Sequence, residues 1–216
     1  MLRKLILGIP VALPLLMSGV GYALAYDATW YKTDFWAGEY PNGFTLAKDF
    51  TTEIRETPDP DAAHSVKCAL KQGETYHQWN EGRVKASKLE FVSYVKKVAY
   101  EIKQPATLIL QNEKTESDET IAFKAGDEWT YLTYYAEGAF RMEFKGVPYA
   151  AEQELFEYSQ EKGKKEGDSD HEDHEWLKLT CANGNKGWLL FDDVAELPEF
   201  EKPDFPEYGK AEDRAK

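Results

Sequence analysis

The chain has 216 residues, with 39 acidic side chains against 26 basic ones, a formal charge of −13 and 14% aromatic residues. A surface this acidic repels phosphate backbones, which excludes nucleic acid as a partner. The length suits one larger domain or two small ones, and the aromatic supply suits small β domains, whose cores use large flat side chains.

Residues 1–25 read as a signal peptide. Arg3 and Lys4 give a positive start, Leu5 to Gly21 an uncharged apolar stretch broken by Pro10 and Pro14, and Ala23-Leu24-Ala25 a small-residue cleavage site. Cleavage after Ala25 leaves 191 of the 216 residues; Arg3 and Lys4 are lost, so 24 basic residues face the same 39 acidic ones and the charge becomes about −15. The alternative is an uncut N-terminal anchor, since a membrane span needs ~20 apolar residues. No cysteine stands at the cleavage point to carry a lipid. The expected address is periplasmic or secreted, with the membrane met only through the signal segment before cleavage.

Export carries Cys68 and Cys181 into an oxidising compartment, where disulfides form and persist. A bridge between them closes a long loop, worth ~4–5 kcal/mol in the chain-entropy description. Two separately buried thiols are the alternative, because sequence does not show that the sulfurs meet.

After the cleavage site, Trp30, Tyr31, Phe35, Trp36 and Tyr40 form an aromatic cluster ending in the turn Pro41-Asn42-Gly43. It is either a platform for a ligand or a strand packed on the domain. Thr52 to Arg55 reads as a strand, Glu56 to Asp61 as a proline-aspartate loop, Val66 to Leu70 as an alternating strand, and Lys71-Gln72-Gly73-Glu74 as a turn into Thr75 to Trp79. Val92, Tyr94, Val98, Tyr100 and Ile102 favour two strands joined at Lys96-Lys97 over a helix. Residues 111–120 are polar and contain no aromatic, as a linker does.

The organising stretch is Glu128 to Phe144. Two aromatic-rich runs flank Ala136-Glu137-Gly138, a hairpin with a short glycine turn. Phe140, Met142 and Phe144 alternate with Arg141 and Glu143, so one face is buried. In the first run Trp129, Tyr131 and Tyr135 share one face and Leu132 and Tyr134 the other, so both faces carry apolar weight. Residues 157–175 hold too little apolar content to bury themselves and are expected to form a mobile charged insertion. Leu177, Leu179 and Cys181 then alternate in a strand, Asn183-Gly184-Asn185 turns, and Gly187-Trp188-Leu189-Leu190-Phe191 answers it. The tail over 198–216 is expected to be loosely ordered.

Ile54-Arg55-Glu56-Thr57-Pro58, Val66 to Leu70 and Lys71-Gln72-Gly73-Glu74, in that order, resemble the opening of bacterial SH3-like domains. Lys124-Ala125-Gly126-Asp127 repeats the turn, and Gly187-Trp188-Leu189 resembles the family's closing strand; no such strand is visible before residue 110. The resemblance implies an all-β fold of small SH3-like barrels packed together: 26–110, a linker over 111–120, and 121–197 with the insertion 157–175. The hairpin then becomes the central sheet of a barrel closed by Gly187 to Phe191.

Chemistry-bearing residues are sparse. His171 and His174, among Asp168, Asp170 and Glu172, offer imidazole and carboxylate ligands for a divalent metal, but a solvated charged loop has the same composition. His64 and His77 lie near Cys68 in sequence, so a hydrolase site between the two domains, with Cys68 as nucleophile, is an alternative. No nucleophile, base and orienting group can be named together, so no enzyme activity and no cofactor are expected. The resemblance implies recognition of a protein or a cell-wall peptide in an aromatic groove. Its candidate residues are Trp36, Tyr76, Trp79, Tyr131, Tyr134, Tyr135 and Trp188, and the acidic charge favours a protein partner over bulk cell wall.

Overall fold

The computed structural model describes residues 25–37, 43–62, 64–77, 89–164 and 171–203. The signal segment up to residue 24, Tyr40 with Pro41-Asn42, Trp79, residues 165–170 and the tail from 204 lie outside the described residues. The fold is all-β apart from one helical turn.

The first part holds β1 (Trp30–Thr33), β2 (Gly43–Leu46), β3 (Phe50–Arg55), β4 (Ser65–Leu70), β5 (Thr75–His77) and β6 (Glu90–Lys96). Next come β7 (Val98–Ile102), β8 (Ala106–Asn112), β9 (Ser117–Phe123), β10 (Glu128–Ala136), β11 (Ala139–Phe144), β12 (Val147–Ala151), the turn α1 (Glu154–Glu157) and β13 (Ser159–Glu161). β14 (Asp173–Thr180), β15 (Lys186–Leu190) and β16 (Phe200–Glu201) complete the order. They form a six-stranded sheet β1-β6-β14-β15-β3-β4, a three-stranded sheet β16-β2-β5 and a seven-stranded sheet β13-β7-β10-β11-β12-β8-β9.

The strands are not divided at 111–120. β14 pairs with β6 from Asp173↔Val95 to Lys178↔Glu90, so the two ends of the chain share one sheet, and everything from β7 to β13 is inserted between neighbouring strands. Residues 111–120 are the end of a hairpin, paired from Ala106↔Phe123 to Asn112↔Ser117. Polar side chains suit an edge strand in water as well as they suit a linker. β15 pairs with β14 and β3, while β10 pairs with β11 and β7, so Gly187 to Phe191 does not close a barrel around the hairpin. The insertion and tail are also more ordered than their composition implies. Residues 159–161 pair with β7, 173–175 open β14, and Phe200, 8% exposed, pairs with Leu46.

Local chemistry explains the elements. In the β10–β11 hairpin Ala136 faces Ala139, and Glu137 and Gly138 take φ of 52° and 84°, the two left-handed positions that a two-residue turn matched to strand twist requires. The two Lys-x-Gly-acid turns are built alike. The Lys71 N–H donates to Glu74 Oε2 at 3.1 Å and the Lys124 N–H to Asp127 Oδ2 at 2.9 Å, while each acid's N–H returns to the lysine carbonyl. Position 187, the second of β15, requires glycine because a Cβ there would lie 2.6 Å from the Arg55 carbonyl oxygen.

One core lies between the six- and three-stranded sheets and includes Phe44, Leu46, Ile54, Leu177 and Leu189. Within it Cys68 and Cys181 form a disulfide, with Cα atoms 5.3 Å apart, fastening the edge strand β4 to the end of β14. The second core fills the seven-stranded sheet with Trp129, Phe140, Met142, Phe144 and Leu155.

Candidate functional site

β14 starts at Asp173, four residues before the alternating Leu177, Leu179 and Cys181, and that extension makes the site. Side chains alternate across a strand, so Asp173 and Glu175 stand on the same face as Leu177 and Leu179. The leucines enter the first core; the acids lie beyond its edge. Register places Ser93 between Glu175 and Thr33, and Val95 between Asp173 and Tyr31.

Opposite this face comes the second half of β10, re-aimed by irregular pairing. Tyr131 faces Met142 and Thr133 faces Arg141, leaving Leu132 as an extra residue, and a second shift falls between Tyr134 and Ala136. Such bulges bend a strand and turn its side chains. The result is a small open cleft of about 60 Å³. Its walls are aromatic, from Tyr131 and Tyr134 on β10, Phe35 after β1, and Phe91 on β6. Ser93 and Thr133 contribute hydroxyls, and His171, Asp173 and Glu175 the titratable groups. Among the described residues, two of the four large apolar side chains left exposed, Phe35 at 48% and Tyr134 at 36%, belong to this cleft.

The lining is held from behind. His171 stacks on Tyr131 with ring centres 3.7 Å apart, and its Nε2 lies 3.1 Å from the Tyr100 hydroxyl. Phe91 stacks on Trp36 at 4.7 Å, and the Trp36 indole also hydrogen-bonds Glu175. Phe35 meets the Tyr135 ring edge-on at 5.4 Å. Tyr135 and Arg141 both donate to Glu113, and Arg141 also reaches the Tyr31 hydroxyl, joining β11 to β1.

Three carboxyls gather here. Burial, reinforced by Asp173 and Asp192, pushes Glu175 up to about 8. Loss of surrounding water and then the charge of Asp192 hold Asp173 above its ordinary value, and Asp192 is raised mainly by the same loss of water. Asp192 is fixed by accepting the Glu175 N–H at 3.0 Å. No lysine or arginine is among the residues lining the cleft.

The expected groove residues do not form one surface. Trp36 and Tyr76 are 7% and 4% exposed, in the first core. Tyr131 and Tyr134 line the cleft, Tyr135 backs it, and Trp79 lies outside the described residues. Trp188 is on the far face of the six-stranded sheet, 5.6 Å from Lys178 Nζ. His171 and His174 do not converge either. His174 sits on that far face, its Nδ1 2.9 Å from the Tyr26 hydroxyl, which accepts from the Trp176 indole at 2.8 Å. Among the described residues no group of three His, Cys, Asp or Glu side chains is placed to hold a metal ion. With Cys68 in the disulfide there is no thiolate for the hydrolase alternative.

Phe91, Ser93, Thr133, Asp173 and Glu175 are site residues that sequence reasoning missed, while Phe35 belonged to the aromatic cluster read as a platform or a packed strand. The signal available was alternation: Asp173 and Glu175 continue the parity of Leu177 and Leu179, which places them on the same face of the strand. No protein-family model, no curated protein and no solved structure matches the chain.

Proposed function

We propose that the chain is an exported, non-enzymatic binding protein that accepts one side chain of a protein or peptide partner in the cleft between β6, β14 and the bulged end of β10. The observation that carries this reading is the meeting of exposed Phe35 and Tyr134 with the Ser93 and Thr133 hydroxyls and the Asp173 and Glu175 carboxyls around one cleft. Pockets for whole small molecules commonly occupy ~300–1,000 Å³; a cleft of about 60 Å³ suits the end of one side chain. The disulfide supports export, because such bonds persist in oxidising compartments. An SH3-like ancestry is part of the proposal, supported by the shared bonding of the two Lys-x-Gly-acid turns.

Panning a random hexapeptide display library on the immobilised mature chain tests the reading. Enriched peptides that bind the wild type and lose at least tenfold affinity for Tyr134→Ala, with Trp188→Ala unaffected, are the expected result. No enrichment, or peptides indifferent to Tyr134→Ala, overturns it.

A further inference from the structure

The chemistry of the cleft restricts what side chain it takes. Asp173 and Glu175 share one face of β14 with no lysine or arginine in the lining to neutralise them. The Ser93 hydroxyl lines the same space; Ser93 is 4% exposed, and no hydrogen-bond partner for its side chain is found among the described residues. A hydroxyl facing such a space can accept a hydrogen bond from a donor placed there. The walls are the rings of Tyr131, Tyr134, Phe35 and Phe91. Aromatic faces attract cations through their quadrupole, and the attraction grows as water is excluded. Carboxyl groups that ionise most readily beside a positive charge, a hydroxyl acceptor and ring faces around a side-chain-sized space are complementary to one class of group, an organic cation.

We propose that the cleft is a cation-selective site for the ammonium or guanidinium end of a basic side chain on the partner peptide. The inference rests on the cleft being the binding site. The charge of the whole chain favours the same partner: −13 overall attracts basic segments before contact. A negatively charged side chain is opposed by Asp173 and by the net charge of the chain, and an apolar one makes no ion pair with Asp173.

The probes are Nα-acetyl-L-lysine amide, Nα-acetyl-L-arginine amide and their uncharged isostere Nα-acetyl-L-norleucine amide, titrated into ¹⁵N-labelled mature protein while the Ser93 and Thr133 amide signals are followed. Saturable shifts with at least one basic amide, roughly tenfold tighter than with the norleucine compound, are expected. They should be lost in Asp173→Asn/Glu175→Gln and kept in Trp188→Ala. Both variants are checked for an unchanged amide spectrum away from the cleft; if the double variant perturbs it, Glu175→Gln alone replaces it. Equal binding of the norleucine amide, survival of the shifts in the carboxamide variant, or no shift with either basic amide overturns the inference. In that last case display-selected peptides that still depend on Tyr134 but carry no basic residue leave the binding function standing and remove only its charge selectivity.

Discussion

The two halves of the inner face of β14 follow the same alternation and end in opposite environments. Leu177 and Leu179 are at most 1% exposed beneath the three-stranded sheet, stapled nearby by Cys68–Cys181. Asp173 and Glu175 meet an open cleft and a bulged strand. The difference comes from what lies opposite. The three-stranded sheet closes the lower half, whereas the shifted pairing at Leu132 leaves the upper half open beneath β10, so carboxyls stand among rings with no basic side chain in the lining. One half is built for stability; the other carries unfavourable electrostatics that a ligand can relieve.

Opening the lower half has the largest expected effect. Cys68→Ala/Cys181→Ala releases a sequence separation of 113 residues and should lower stability in urea unfolding by ~4–5 kcal/mol. Leu177→Ala, which leaves a cavity at a fully buried site, should cost about 3 kcal/mol by the same measurement. The upper half should respond with the opposite sign. Glu175 titrates near 8 in the fold against 4.5 in a free chain, so the unfolded chain loses its proton first. Stability is therefore full below about 4.5 and falls as pH rises through 8. Glu175→Gln should flatten that fall and raise stability at pH 8 by about 2 kcal/mol, a figure kept modest because water reaches the rim. Asp173 and Asp192 shift the same way and leave a residual slope. The smallest effect is at Tyr134, 36% exposed: Tyr134→Ala should alter stability by about 0.5 kcal/mol while abolishing peptide binding. A loss of several kcal/mol at Tyr134, or a loss of stability in Glu175→Gln at pH 8, breaks the distinction between the halves.

Much of the fold was legible because it depends on local pattern. The alternation of Phe140, Met142 and Phe144, the Glu137-Gly138 turn, and the β-branched and aromatic run on either side of Lys97 all became the elements expected of them. The cleft was not legible, for two physical reasons. It depends on pairing between β6 and β14, which are far apart in sequence, and on a bulge that inverts the parity of Tyr134 and Tyr135 relative to Tyr131. Aromatic composition misled in consequence. Trp36 and Tyr76 supply core volume, and the far face holds its own cluster in which Tyr26 stacks on Tyr94 at 3.8 Å and bonds to His174 and Trp176. Charge misled in the other direction: a run that looks solvated over 157–175 ends in two acids, exposed Asp173 and half-buried Glu175, that line the cleft.

The most direct measurement is the pH titration of the Glu175 side-chain carboxyl carbon by NMR in ¹³C-glutamate-labelled protein, assigned with Glu175→Gln and repeated with saturating Nα-acetyl-L-lysine amide. A midpoint near 8 in the free protein, falling by about one to three units when the amine is added, is the expected result. A midpoint near 4.5 in the free protein, or one near 8 that the amine leaves in place, contradicts a cleft that holds its carboxyls ready for a cation.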